Sequence, residues 1–506
     1  MTAPQVLIVG AGPTGLVMAL WLHRQGIPFR LIDRNSGPGT ASRAMIVHAR
    51  TLEFYRQLGI AEEVVASGVR VERLRLREHG DEIATFPVGD IGSGLSPYPF
   101  ILTLPQDDHE RLLTRHLEAE GVRVEWNTEL IAFSDNGEKV AATLKTAEGS
   151  QECVVDYLCG CDGASSTVRR SLQLNFPGGT YDQRFFVADV VASGTSTDNS
   201  LEMCLGAASF GVTFPVRSTG MHRIIGIVPD EARDKEAPTF EDVRPVAEDL
   251  IGIKVLNVNW FSTYHVHHRV ASHFQVGRVF IGGDAGHIHS PAGGQGMNTG
   301  IGDGVNLAWK LAQVLKGQAS PRILETYEEE RIVFARTLVK TTDRLFQMMI
   351  ERSAGGRFLR TVIIPNLAPI ALGFSNVKRS MFGAASQTRI AYHDSALSQG
   401  HLGHLRGGDR LPWVESLDNF APLASMQWQI HVYGQANDAL QRQAEALDLP
   451  LHAFGFDAET EEAALAQDAA YLIRPDGYIA LILTDQDATA LDVYVKASDL
   501  RFTASA

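Results

Sequence analysis

An α/β fold, in which a strand–helix–strand domain is interrupted by an antiparallel sheet and followed by a smaller α/β block, is what this 506-residue sequence predicts. Three observations predict it. A short β-branched run over 5–9 ends at Gly10, apolar residues recur at helical spacing from Leu16 to Arg24, and a second apolar run covers 29–33, together making a βαβ unit. From Tyr181 to Arg269 the pattern alternates, as strands with one covered face require. The buried-strand pattern then returns at 279–281 and a helical one at 302–316, so the chain re-enters its first domain after the excursion.

In the first domain, residues 107–120 predict another helix and 122–126 a further strand of the same sheet. The excursion holds antiparallel strands over 185–191, 209–216 and 222–228. Residues 320–350 are charged and helical, with Glu328-Glu329-Glu330-Arg331 as a solvated helix face. The stretch 351–408, rich in Gly and small residues, suits a helical connection. The last block mixes strands at 429–433 and 470–473 with a polar helix near 438–447. The expected boundaries are 1–180 and 270–350 for a discontinuous first domain, 181–269 for the inserted sheet, 351–408 for the connection and 409–506 for the terminal block.

Composition narrows the class. With 44% hydrophobic and 21% charged residues, the chain can bury a core and is too apolar to be disordered. A net charge of −14 without a long basic run argues against nucleic acid as a partner. The first residues enter a strand directly, so no secretory leader is expected, and the longest apolar stretch, 362–374, is broken by Pro365, Asn366 and Pro369 and too short to span a bilayer. Four clustered cysteines, Cys153, Cys159, Cys161 and Cys204, do not make a disulfide framework. A soluble protein in a reducing, cytoplasmic setting is the expectation.

The chemistry begins at Gly10-Ala11-Gly12-Pro13-Thr14-Gly15, between the first strand and helix. In such a GxGxxG turn the first glycine permits the tight bend, the second lets a pyrophosphate approach the backbone, and the third lets helix pack on strand. The helix start offers unpaired N–H groups to an anion, and Pro13 suits a first helical position. Asp33 ends the next strand 23 residues after Gly10, where a carboxylate accepts from ribose hydroxyls. This motif serves FAD and NAD alike. Gly283-Asp284-Ala285, after the strand at 279–281, and the run Gly293-Gly294-Gln295-Gly296-Met297-Asn298, leading to a helix beginning near Gly302, favour FAD. A strand-end carboxylate can hold a polyol chain, and a helix start can stabilise a reduced, anionic ring.

With Cys161-Asp162-Gly163-Ala164-Ser165-Ser166-Thr167-Val168-Arg169 between them, these motifs resemble the FAD-dependent aromatic hydroxylases. These are the single-component class A flavoprotein monooxygenases of the para-hydroxybenzoate hydroxylase type, and the likeness is strongest to their phenol hydroxylase-like branch. The resemblance implies a Rossmann-like FAD-binding domain, an inserted antiparallel-sheet substrate domain and a thioredoxin-like terminal domain. It implies FAD contacts from Gly10, Gly12, Pro13, Thr14, Gly15, Asp33, Arg34, Arg43 and Gln106, with Asp162-Gly163 associated with both FAD and NAD(P)H. It further implies that Asp284 holds the ribityl chain and that Pro291, Gly296, Met297 and Asn298 lie near the ring. The implied activity is hydroxylation of an aromatic, phenolic small molecule or natural product with NAD(P)H and O₂ through a flavin C4a-hydroperoxide. Baeyer–Villiger oxygenation, O₂-independent reduction and sequestration of an aromatic ligand are the alternatives on the same scaffold.

Asp33 is one methylene shorter than the family's usual Glu, and Ile332 stands where Pro is common. Arg474-Pro475-Asp476-Gly477-Tyr478 marks the thioredoxin-like block, which has no cysteine, so it is expected to be structural, with support of a homodimer open to it. No metal site is expected from His265, His267 and His268, which lack a well-spaced carboxylate. His287 and His289 read most simply as hydrogen-bonded loop residues, with pocket shaping or proton transfer as the functional alternative. Trp260 and Phe261 read as core.

Overall fold

The computed structural model describes residues 3–40, 44–78, 80–194, 199–205, 210–216, 220–290, 292–350 and 375–502. Among them, Val6–Val9 is an interior strand of a five-stranded sheet, paired in parallel with the edge strand Phe29–Ile32 and with the central strand Tyr157–Gly160. Val279–Ile281 adds in parallel to the latter, and Gln275–Val276 closes the edge. The chain thus returns to its first sheet after the excursion. The run at 122–126 supplies only a single parallel bridge, Ile32 to Glu125, not a strand. Asn127, at φ 53, turns the backbone into a three-stranded meander that starts at Glu129.

The first helix, Pro13–Arg24, packs on the long helix Gln295–Leu315. That helix begins at Gln295 rather than near Gly302, because Gly293 (φ 76) and Gly294 (φ 63) make a left-handed corner from which it starts. Its glycines weaken the sequence signal for helix. Packing needs them: a Cβ on Gly300 would lie 2.4 Å from Thr14 Oγ1, and one on Gly304 2.8 Å from the Thr14 carbonyl.

The inserted sheet has eight strands and is wider than 181–269. Arg73–Glu78 pairs in parallel with Ser200–Leu205, Asp81–Pro87 forms the edge beyond it, and His287–Ile288 forms the other. One face carries Phe186, Ala188, Val190 and Ile224 against the helix Phe240–Ile251. The opposite face carries Phe214, Val216 and Ile225, which meet Met45 and Ile46. Ile46 also touches the corner of the long helix, since a Cβ on Gly294 would lie 2.8 Å from its own. The second face is therefore turned toward the start of that helix. At about 1.5–3 kcal/mol per buried large apolar side chain, this contact fixes the sheet over the site.

The terminal block holds a four-stranded sheet ordered Leu451–Phe454, Gln429–Tyr433, Ala470–Ile473, Ile479–Leu483, the first pair parallel and the others antiparallel, with helices Asp438–Ala446 and Ala488–Ala497. This is the thioredoxin-like arrangement. Trp428, Ile430 and Leu472 belong to the same hydrophobic core as the first domain.

The expected solvated face at 328–331 is overturned at two positions: Glu330 is 3% exposed and Arg331 1%. Arg474 of the terminal turn reaches Glu330 with two bonds of 2.8 and 3.0 Å, and Lys310 of the long helix reaches the same carboxylate at 2.9 Å. Buried charges survive only when paired in this way. Among the described residues no helix is long and apolar enough to cross a membrane; the stretch 362–374 lies outside them.

Candidate active site

The three glycines of the first loop occupy different environments. Gly10 has φ +105, and a Cβ there would meet the Cys161 carbonyl oxygen at 2.3 Å. A Cβ on Gly15 would lie 1.9 Å from the Gly10 carbonyl oxygen. Gly12 is different: a Cβ there meets nothing within 4 Å. It faces a cavity of about 240 Å³ whose walls include Gly10, Asp33, Arg34, Asp162 and Gly163, along with Glu110, which sequence reasoning missed. The first helix begins beside this cavity with no side-chain cap, so its first N–H groups are open to an anion.

Asp33 holds the loop as well as lining the cavity. Its Oδ2 accepts from the Ala11 N–H at 2.7 Å and its Oδ1 from the Asn35 N–H at 2.8 Å. Each oxygen keeps a second lone pair. Asp162 Oδ2 accepts from the Thr167 and Val168 N–H groups at 2.6 and 3.1 Å. Its Oδ1 is buried and has no hydrogen-bond partner among the described residues. A buried carboxylate oxygen of this kind fits a ligand hydroxyl. Gly163, at φ 75, lets the chain turn past it. Arg34 is exposed at the rim. Gln106 donates to Glu110 Oε1 at 2.8 Å, while Glu110 Oε2 accepts from Gly39 N–H at 2.8 Å. Burial pushes the Glu110 carboxyl up, against the pull of those two donors.

Thr14 joins this cavity to the second motif. Gly283 has φ +61, and a Cβ there would lie 2.5 Å from Thr14 Oγ1. Pro13 takes the first position of the helix. The two motifs, far apart in sequence, are therefore contiguous, with Asp284 exposed on the turn Gly283–Ala285. Gly296, Met297 and Asn298 lie in the first turn of the long helix, which also starts without a side-chain cap. The Asn298 side chain is committed elsewhere. It accepts from His48 N–H and Thr51 Oγ1 at 2.9 and 2.8 Å and donates to the Ile46 and Gly294 carbonyls at 2.8 and 2.9 Å. Any contact it makes with a bound ring comes through its backbone. Arg43 and Pro291 lie outside the described residues.

Beneath the second motif sits a buried network that sequence spacing did not reveal. Asp303 accepts from the Gly283 N–H at 2.9 Å, from His287 Nε2 at 2.6 Å and from Arg331 Nε at 2.7 Å. Burial pushes the Asp303 carboxyl up, but Arg331 and His287 outweigh it and hold it below the usual range. His289 bonds the Ser290 carbonyl through Nδ1 at 2.8 Å, and His48 bonds the Gly293 carbonyl through Nε2 at 3.2 Å. Burial, first of all, holds both imidazoles down to about 4. His267 bonds Thr180, and among the described residues no three-ligand metal cluster occurs.

On the sheet face above, Arg223 grips Asp189 with two bonds of 2.7 and 2.8 Å, its guanidinium 5.6 Å from the Trp260 ring. Trp260 is thus part of this face rather than of the core behind the sheet.

A βαβ cleft joined to a second uncapped helix start, under an antiparallel sheet, defines a dinucleotide flavoprotein of the aromatic hydroxylase class. The comparisons agree. A family model described as FAD binding domain matches residues 3–342. The chain is 32% identical to 6-methylpretetramide 4-monooxygenase of Streptomyces rimosus, over 98% of this chain and 94% of that protein. Its fold matches the flavin-dependent monooxygenase PieE in complex with FAD and substrate, with TM-score 0.82, 25% identity and coverage of 98% and 99%. It also matches the OxyS anhydrotetracycline hydroxylase of Streptomyces rimosus, with TM-score 0.79, 27% identity and coverage of 99% of each chain. The chain belongs to the FAD-binding-domain family and is a flavin-dependent aromatic monooxygenase.

Proposed function

We propose that this monooxygenase hydroxylates a fused-ring phenolic natural product with NAD(P)H and O₂. The single observation that carries the cofactor reading is the junction at Thr14, which joins the Gly12 cavity to the Gly283-Asp284 turn. The substrate class is supported by the likeness over nearly the whole chain to enzymes named for 6-methylpretetramide and anhydrotetracycline.

When bound, FAD would supply hydride acceptance from the reduced nicotinamide and, with O₂, transfer of one oxygen atom to an electron-rich ring carbon, the other leaving as water. The open N–H groups after Gly12 would hold the pyrophosphate, with Arg34 at the rim of the same cavity. The second lone pairs of Asp33 and the unpartnered Oδ1 of Asp162 would accept from sugar hydroxyls, and Asp284 would hold the ribityl chain. The start of the long helix at Gln295–Asn298, with its positive dipole end, would stabilise negative charge on the ring. Phe214, Val216 and Ile225, closed by Met45 and Ile46, keep bulk water from the reacting face. Trp260 and the Arg223–Asp189 pair give the same sheet face an aromatic and a polar element for the substrate. Four buried, unpaired thiols support a reducing, cytoplasmic setting.

The test is to load the purified protein with FAD and follow NAD(P)H oxidation across single-ring and fused-ring phenols under isotopically labelled O₂. One labelled oxygen in a product whose aromatic ring is intact is expected, with fused-ring phenols turned over faster. Ring expansion to a lactone, or reduction without label, overturns hydroxylation, and equal or better turnover of single-ring phenols overturns the substrate class.

A further inference from the structure

A buried imidazole, His48, and a half-buried one, His289, flank the start of the long helix, and the mechanism above uses neither. A carbonyl oxygen can only accept, so the 2.8 Å contact of His289 Nδ1 with the Ser290 carbonyl places the ring proton on Nδ1. The 3.2 Å contact of His48 Nε2 with the Gly293 carbonyl places its proton on Nε2. Burial keeps both rings neutral well below neutral pH. The remaining nitrogens, His289 Nε2 and His48 Nδ1, therefore present bare lone pairs. Both are buried, and neither has a hydrogen-bond partner among the described residues. Buried polar atoms in folded proteins are nearly always partnered, and the charge of one ring is felt by the other, so the two orphans call for a ligand.

Their position says which kind. Gly293 precedes the helix cap Gly294, and a Cβ on Gly296 would lie 3.6 Å from His289 Nε2. The first-turn N–H groups of the helix supply donors at the same place. His287, fixed by Asp303, has its ring 14° from parallel to that of His289, with centroids 6.5 Å apart, while the Ser290 carbonyl holds the second imidazole. Donors from the helix and acceptors from two imidazoles together suit the edge of a planar ring that alternates oxygen atoms with N–H or O–H groups.

We propose that His289 Nε2 and His48 Nδ1 are a pair of acceptors that position a planar ring by its N–H or O–H donors at the start of the helix Gln295–Leu315. The proposal rests on reading the cleft as the FAD site. The donor belongs either to the flavin ring or to a phenolic substrate, and the experiment separates them.

Two variants isolate the acceptor. His289→Asn keeps a side-chain N–H for the Ser290 carbonyl but has nothing at the distal position. His289→Gln can place its amide oxygen where Nε2 stood. FAD binding to the FAD-free protein is measured by flavin fluorescence, and binding of 4-nitrophenol to the FAD-loaded protein by absorbance. Losing one hydrogen bond should raise the Kd in His289→Asn about tenfold for the ligand that supplies the donor, with His289→Gln recovering to within about threefold. Weakened FAD binding assigns the donor to the flavin; unchanged FAD binding with weakened 4-nitrophenol binding assigns it to the substrate. Native FAD affinity in His289→Asn without any weakening toward 4-nitrophenol overturns the proposal, as does equal loss in both variants. A native protein that takes up no FAD would instead overturn the cofactor reading beneath it.

Discussion

Replacing Gly12 should separate binding from folding. Its backbone, at φ −75 and ψ −178, is extended, a conformation any residue adopts, and a Cβ there meets nothing within 4 Å. Gly12→Val therefore costs the ligand-free fold little, and reduced freedom of the unfolded chain contributes up to about 1 kcal/mol of stabilisation. The added carbons project into the cavity of about 240 Å³ and hold a pyrophosphate away from the first N–H groups of the helix. A charge-assisted hydrogen bond is worth about 1.5–3 kcal/mol, so losing one weakens FAD binding roughly 10- to 150-fold. Gly15→Ala is the control, since its Cβ would lie 1.9 Å from the Gly10 carbonyl oxygen and must disturb the fold itself. Thermal melting of the FAD-free proteins, with FAD titration by flavin fluorescence, reads both effects. Native FAD affinity in Gly12→Val, or a melting temperature lowered as far as that of Gly15→Ala, would refute the reasoning.

Asp284→Ala should yield protein that retains little FAD after purification, read by the ratio of flavin to protein absorbance; full retention would show that the ribityl contact lies elsewhere. Arg474→Met removes four bonds to Glu330 and Asp476 from a fully buried site. It should destabilise docking of the terminal block by about 3–5 kcal/mol, seen as faster hydrogen exchange over 409–502, and unchanged exchange would contradict it. His48 and His289 are held down to about 4 and His431 to about 3, burial being the leading cause in each. An unfolded imidazole titrates near about 6.5, so below that pH the unfolded chain binds more protons than the folded one. The stabilisation is complete above about pH 6.5 and is lost as pH falls toward the folded values; melting temperatures should fall across that window, and less steeply in His431→Leu.

The βαβ unit and its glycine loop were legible because every relation in them is local. A strand, a turn and a helix within one short stretch carry their own periodicity and spacing. The long helix was only half legible. Gly296, Gly300, Gly302 and Gly304 lower helix propensity, and what makes Gly300 and Gly304 necessary, close approach to Thr14, comes from the other end of the domain. Glu330 and Arg331 look like surface charges beside Glu328 and Glu329 until Arg474 and Asp303 are brought to them by tertiary folding. The same holds at the candidate site. Asp33 and Asp162-Gly163 were found by motif, whereas Glu110, Asp303 and His48 follow no spacing rule and are defined by what they touch. The strand Arg73–Glu78 joins a sheet whose other strands lie mostly beyond residue 178, a pairing no local pattern encodes.

Glu330, Lys310 and Arg474 form a knot between the terminal block and the middle of the long helix. Recombination among relatives has to respect it. A hybrid that takes its tail from one parent and its body from another would strand a carboxylate and an ammonium group in apolar surroundings, along the same helix whose start is proposed to face the ring. Such grafts should keep an aligned reactive centre only when the turn 474–478 and its sockets are inherited as one piece.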